Sequence, residues 1–194
     1  MAFLPFSQQA RKWEPIAIEL RRLAGVSDGE LLDPCDLASK VGLRIIDAHF
    51  ALEDFSAADK HHLLITARDH WSGGVLPEKL PDGSCICILN PNHPRRRSRI
   101  TLLEEIVHMH RRHLPTRLCE SVPGLRVRGY DRAQETEAYG VGAATLLPWS
   151  TFYHAVDTGT SLEEIGNHYD VTTQLVKYRI QITGAYRLYR SRCE

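Results

Sequence analysis

The chain has 194 residues, with 24 Lys+Arg against 24 Asp+Glu and a formal net charge of +0. That length suits one domain with a sizeable core, and nothing in the charge balance favours nucleic acid or an anionic membrane as the main partner. No apolar run approaches the roughly 20 residues needed to span a bilayer, and the opening stretch MAFLPFSQQARKWEP has neither the basic start nor the apolar core of a secretory signal. The cysteines are Cys35, Cys85, Cys87, Cys119 and Cys193. They are odd in number and form no C-x-x-C pair, which points to a reducing cytoplasm rather than a disulfide framework.

In chain order, residues 15–25 alternate apolar and charged residues at helical spacing and stop at Gly25. Asp33-Pro34 opens a second helix over about 34–41, ended by Gly42. The β-rich runs LRII (43–46), HLLIT (62–66) and CICIL (85–89) are strand candidates. On a strand, Cys85 and Cys87 share one face and read as small buried hydrophobes. Residues 68–84 hold two glycines in series, two prolines and Asp82-Gly83, and predict a long turn-rich loop. A linker over 91–97 leads into a helix at about 98–113. Residues 114–131 read as irregular, and a second long helix covers about 132–146, ended by Leu147-Pro148. From Ser161 to about Tyr189 the pattern gives two helices, the first opened by a Ser161/Glu164 capping box, with a break at Val171-Thr172-Thr173. Strands grouped ahead of long helices predict an α+β fold, a small mixed or antiparallel sheet packed on helices.

The helix at 98–113 contains Glu104-Glu105-Ile106-Val107-His108. This is one letter from H-E-x-x-H, in which two imidazoles on one helix face bind zinc and the glutamate between them is the general base. On a wheel of about 100° per residue, Thr101, Glu104, Glu105, His108 and Arg112 fall on one arc. Glu104 and His108 are four apart, so their side chains can converge on one ion. The same arc is also what the wet face of any amphipathic helix presents. In the helix at 132–146, Glu137 shares a stripe with Gly140, Val141 and Ala144, small residues that let another helix approach. A carboxylate there needs a metal ion, an arginine or a helix end to meet it. The run Arg95, Arg96, Arg97 and Arg99 reads as a solvated lead-in with one arginine on a carboxylate. Cys119 has no partner pattern for a nucleophile.

These residues, read together, resemble the ImmA/IrrE-type metallopeptidases, a cytoplasmic gluzincin-like family, over about residues 15–182. Arg99-Ile100-Thr101-Leu102-Leu103-Glu104-Glu105-Ile106-Val107-His108 is similar to the family's R-F-T-L-A-H-E-L-G-H. Glu137-Ala138-Tyr139 through Leu146-Leu147-Pro148 is similar to its E-A-N-x-F-A-A-x-L-L-M-P. Asp33-Pro34 and Leu37-Ala38, ahead of Gly42-Leu43, match its opening, and SLEEIGNHYDVTTQLVKYRI (161–180) its helix-turn-helix-like tail. The resemblance implies a peptidase domain over 15–158 with a zincin-like two-helix metal site, and a helix-turn-helix-like tail over 159–190 packed on it. It implies Glu105 as the catalytic base and His108 and Glu137 as ligands of zinc or another divalent metal, with Glu104 at the remaining ligand position. It implies cleavage of a protein substrate, often a helix-turn-helix repressor, in the cytoplasm, with no membrane or nucleic-acid partner.

The chain departs from the family at three positions: Glu104 replaces His, Val107 replaces Gly and Tyr139 replaces Asn. A one-His, two-carboxylate site is harder than a two-His site and suits manganese, iron or magnesium better than zinc. A bound water there would be less acidic. Three outcomes stay open: a working site, a site that binds an ion without catalysis, or none, with His108 hydrogen-bonded to Glu104 or Glu137. Among the nearby histidines, His110, His113 and His154 are substitute ligand candidates, His110 from the apolar side of the wheel. The rival functions are a non-catalytic protein-interaction module that keeps the fold, and a DNA-binding regulator using Thr172, Thr173, Gln174 and Lys177 of the tail.

Overall fold

Helix α1 spans Gln8–Ala24 in a computed structural model that describes residues 4–113, 118–122, 125–128 and 131–193. It begins seven residues before the predicted start, because Ser7 caps it by accepting from the Ala10 N–H (3.1 Å). Pro15 is carried inside the helix, and the burial of Ala10, Trp13 and Glu14 outweighs the lost hydrogen bond. Helix α2 (Pro34–Lys40) has Asp33 as N-cap and proline in its first turn, as expected.

Strands β1 (Leu43–Ile46), β2 (Gly73–Lys79) and β3 (Cys85–Leu89) form one mixed sheet in the order β1-β3-β2. β1 runs parallel to β3, with Leu43 opposite Cys85 and Ile45 opposite Cys87, while β2 runs antiparallel to β3. Cys85 and Cys87 do share the buried face. The predicted loop at 68–84 therefore contains a strand. β2 holds Pro77 only because it lies at the sheet edge, with a register shift between Val75 and Lys79. Gly73 is used for contact: a Cβ there would lie 2.9 Å from Thr101 Cγ2, whereas one on Gly74 would meet nothing within 4 Å.

Three short helical pieces, α3 (Ala48–Ala51), α4 (Ala57–His61) and a π-helical turn over His62–Thr66, connect β1 to β2. The last corrects the strand expected for HLLIT. A short apolar run does not declare its period, and these carbonyls are met by side chains instead: Trp71 Nε1–H donates to Leu63 (2.9 Å) and Asn92 Nδ2–H to Leu64 (3.0 Å).

Helix α5 (Arg95–Arg111) starts inside the expected linker. Three of its first arginines converge on Asp170: Arg96 Nε at 3.1 Å, Arg95 at 3.3 Å and Arg99 at 3.5 Å. Arg99, which is buried, also donates to the Leu32 carbonyl (2.8 Å). The basic run is thus a clamp and not one solvated pair. Strands β4 (Leu118–Val122) and β5 (Leu125–Arg128) form an antiparallel hairpin where irregular chain was expected; residues 114–117, 123–124 and 129–130, and the side chain of Cys119, lie outside the described residues.

Helix α6 (Arg132–Leu146) matches its predicted bounds, with Asp131 capping Ala133 and Gln134. It is followed by α7 (Trp149–Asp157), α8 (Leu162–His168), α9 (Thr173–Thr183) and α10 (Tyr186–Cys193). The capping box at Ser161/Glu164 forms as expected, but the tail has a third helix, and α7 precedes it.

α6 is buried along most of its length between α1, α5 and α9. Trp13, Leu103, Ile106, Val107, Val141 and Val176 belong to one core cluster, so Val107, where the related family carries glycine, is a core residue. A Cβ on Gly140 would sit 2.2–2.5 Å from three ring carbons of Trp13, and one on Gly142 3.3 Å from Leu103 Cβ.

The C-terminal end of α6 is buried too, and two buried arginines satisfy its carbonyls. Arg21 donates to Thr145 (2.8 Å) and Arg179 Nε–H to Leu147 (3.0 Å). Arg179 is ion-paired with buried Glu14, whose other oxygen accepts from the Trp149 N–H (3.3 Å).

Gly140→Ala is expected to destabilise the fold by about 1–3 kcal/mol, despite the better helix propensity of alanine, because the rigid indole must move. Arg179→Leu is expected to cost about 3–5 kcal/mol, since it strands the Glu14 carboxylate in the core. Chemical denaturation of each variant checks both; a Gly140→Ala protein as stable as the parent would refute the close approach.

Candidate metal and catalytic site between two helices

α5 and α6 pack antiparallel: Ile100 and Leu103 meet Gly142, while His108 and Arg111 meet Glu135 and Glu137. The C-terminal end of α5 therefore lies against the N-terminal end of α6. Carboxylates are favoured at a helix N-terminus and cations at a C-terminus, and the sequence places Glu135 in the first turn of α6 and His108, His110 and Arg111 in the last turn of α5.

The four predicted residues share this end of the helix pair, where His108 and Glu137 both meet His113. Glu104 is mostly buried. Its carboxyl is pushed up to about 8 from an ordinary 4.5, by burial first and then by the charges of Glu105 and Glu135. Glu105 is within electrostatic reach of β3: it helps burial hold the Cys87 thiol up at about 12. His108 points its Nε2 at Glu135 Oε2 (3.4 Å) and its Nδ1 at His113 Nδ1 (3.0 Å). Glu137 lies on His113 and Arg111 instead: His113 Nε2 is 2.9 Å from Glu137 Oε2, and Arg111 Nε is 3.3 Å from Oε1. The arginine alternative foreseen for Glu137 is thus realised. Tyr139 is at this site as well. Its hydroxyl is raised by burial and by Glu104, and its ring meets Tyr178 edge-on at 4.7 Å.

Imidazole and carboxylate are the right kinds of donor for a divalent ion. Among the described residues, however, no group of three or more His, Cys, Asp or Glu side chains is arranged to hold a metal.

Glu135 is the residue that the sequence reading leaves out, while His113 enters it as a substitute ligand candidate. Glu135 is two residues before Glu137 and so on a different face of α6. The expected helix runs on to about position 113. Position 113 would then lie about 140° around the axis from His108. The helix ends instead at Arg112, whose φ of 53° is left-handed, and the His113 N–H turns back onto the His108 carbonyl (2.9 Å). His110 faces α1, with Nε2 3.5 Å from Glu19.

Raised carboxyls have a stability signature. In metal-free protein Glu104 is protonated in the fold and ionised in the unfolded chain between about pH 4.5 and 8. The folded state holds the extra proton there, so stability is full below that window and is lost as pH rises through it. Glu104→Gln removes this slope, and the variant should be the more stable protein at pH 8 by up to a few kcal/mol. Denaturant midpoints at pH 5 and pH 8 for both proteins check it; parallel pH profiles would show that Glu104 is not desolvated.

A comparison with curated proteins finds no match. Residues 45–181 match the peptidase family described as the IrrE N-terminal-like domain. The match covers α5, α6, α8 and most of α9, with both halves of the site. The chain belongs to the IrrE N-terminal-like peptidase family.

Proposed function

We propose that the chain is a divergent ImmA/IrrE-like, metal-dependent endopeptidase that hydrolyses a peptide bond in a regulatory protein. The observation that carries this reading is the meeting of the half-motif Glu105/His108 on α5 with the carboxylates Glu135 and Glu137 at the start of α6. This is the end of the helix pair where the family's motif positions fall. The substrate class implied by the family resemblance is a helix-turn-helix repressor, acting in the cytoplasm; free thiols at Cys35, Cys85 and Cys87 support a reducing compartment. Residues 15–158 would form the peptidase domain, with 159–190 a helix-turn-helix-like tail packed on it.

A bound divalent ion would polarise the scissile carbonyl and acidify a water. His108 would help hold it. The Glu105 carboxylate would accept the water's proton and return it to the leaving nitrogen. Glu104 would stand at the remaining ligand position, where a bound cation would favour its carboxylate form.

One observation favours the rival reading, a non-catalytic interaction module. Glu137 is already ion-paired with Arg111 and hydrogen-bonded to His113, so this ligand position has partners within the protein. DNA binding has less support: on α9, Lys177 is exposed while Arg179 is buried, which leaves one basic group for a phosphate backbone.

Glu105→Gln should lower cleavage by about 100- to 10,000-fold without changing the fold or bound metal. The measurement is the appearance of new protein N-termini in a cell extract treated with zinc-loaded wild type or variant. If wild type creates none that the variant lacks, the interaction module replaces the peptidase.

A further inference from the structure

The start of α5 carries more positive charge than its surroundings balance. Arg95, Arg96, Arg97 and Arg99 lie close together there, and the first turn holds no acidic residue. Three of these guanidiniums share one carboxylate, Asp170: Arg95 at 3.3 Å, Arg96 at 3.1 Å and Arg99 at 3.5 Å. The remaining one, Arg97, has a neutral neighbour, Ser72 Oγ, 3.4 Å from its Nη2. Four guanidiniums against one carboxylate leave a surplus of three positive charges.

Arg99 is the fixed member, buried and held on the Leu32 carbonyl. The side chain of Arg95 is 75% exposed and that of Arg96 39%, and Arg97 is exposed too, so guanidinium N–H groups are left for a ligand from solvent. Arg95 and Arg99 are four apart on the helix, a like-charge spacing that is unfavourable until an anion lies between. The planar fork of a guanidinium matches an oxyanion. Gathered on one carboxylate, the three span the width of one compact anion and not the length of a nucleic-acid strand, and α9 adds only the exposed Lys177. A surplus greater than one is offset better by a dianion than by a second carboxylate. A phosphate group supplies about −1.5 to −2 charge and three acceptor oxygens.

We propose that Arg95, Arg96 and Arg97 bind an oxyanion of the phosphate class, with Arg99 and Asp170 as the fixed base of the cluster. Free phosphate and a phosphorylated side chain of a partner protein share this chemistry. The cluster lies at the opposite end of α5 from His108, and the inference goes beyond the peptidase reading without resting on it. Asp170 belongs to the turn between α8 and α9, so an anion bound here braces the tail against the start of the motif helix.

Inorganic phosphate is titrated into the full chain at constant ionic strength, with chloride as the control and the arginine Nε–H resonances as the readout. Wild type should show a saturable shift. Arg95→Gln and Arg97→Gln should each weaken binding by about 10-fold or more, the loss of a charge-assisted hydrogen bond. Both side chains are exposed, and Arg96 and Arg99 stay on Asp170, so the fold should hold; circular dichroism checks it. Arg187→Gln, an exposed position on α10, should leave affinity unchanged. A phosphoserine peptide and its serine counterpart separate the sources: binding of the phosphopeptide alone assigns the anion to a partner's side chain, and binding of neither, with phosphate bound, assigns it to free phosphate. The proposal is overturned if phosphate acts no differently from chloride, or if Arg187→Gln weakens binding as much as Arg97→Gln. It is also overturned if duplex DNA binds more tightly than phosphate, with a salt slope that Arg97→Gln lowers by about one; the cluster would then contact a nucleic-acid backbone.

Discussion

The fold depends on how the buried C-terminal end of α6 is satisfied. The last carbonyls of a helix have no intrahelical partner, and those of α6 lie in the core. Arg21 from α1 and Arg179 from α9 supply the donors at Thr145 and Leu147, and Glu14 balances the second guanidinium. Each arginine is held by a different helix, so one helix end ties three elements together. A buried guanidinium is costly unless paired and fully used. That cost makes the arrangement specific, because any other placement of α1 or α9 would strand a charge.

With that end fixed, the small residues of α6 set the spacing. Gly140 admits the face of Trp13, and Gly142 admits α5 at Leu103. The antiparallel pairing then carries the register to the opposite end, where α5 finishes and α6 begins. The site lies there, half exposed, on two helices whose relative position is decided several turns away. The clamp of Arg95, Arg96 and Arg99 on Asp170 holds the other end of α5 to the turn between α8 and α9. The tail is therefore part of what positions the motif helix.

The site's electrostatics follow from the same pairing. Acidic residues gather at the positive end of α6 and basic ones at the negative end of α5, which is favourable for each helix alone and for the contact between them. Glu104 is the exception: it is partly buried, with the charges of Glu105 and Glu135 in reach, and its carboxyl is pushed up to about 8. A glutamate at that position does not behave as an anionic copy of the histidine it replaces. The imidazole that approaches His108 is His113.

The sequence by itself determined the elements with strong local signals. The bounds of α2, β1, β3 and α6 and the capping box of α8 were legible because proline, capping side chains and periodic apolar residues act within one element. So was the half-motif on α5, since a spacing of four residues is enough to put Glu104 and His108 on one face. Tertiary structure decided what no local signal carries. Gly73 and Pro77 read as loop residues until an edge position beside Thr101 gives them a strand. HLLIT reads as a strand until Trp71 and Asn92 take its carbonyls. His113 lies far from His108 on any helical wheel, and only the left-handed backbone at Arg112 brings the two rings together. That turn is an unfavoured conformation for arginine, so it is maintained by the contacts it makes, and contacts between elements are what a sequence pattern does not display.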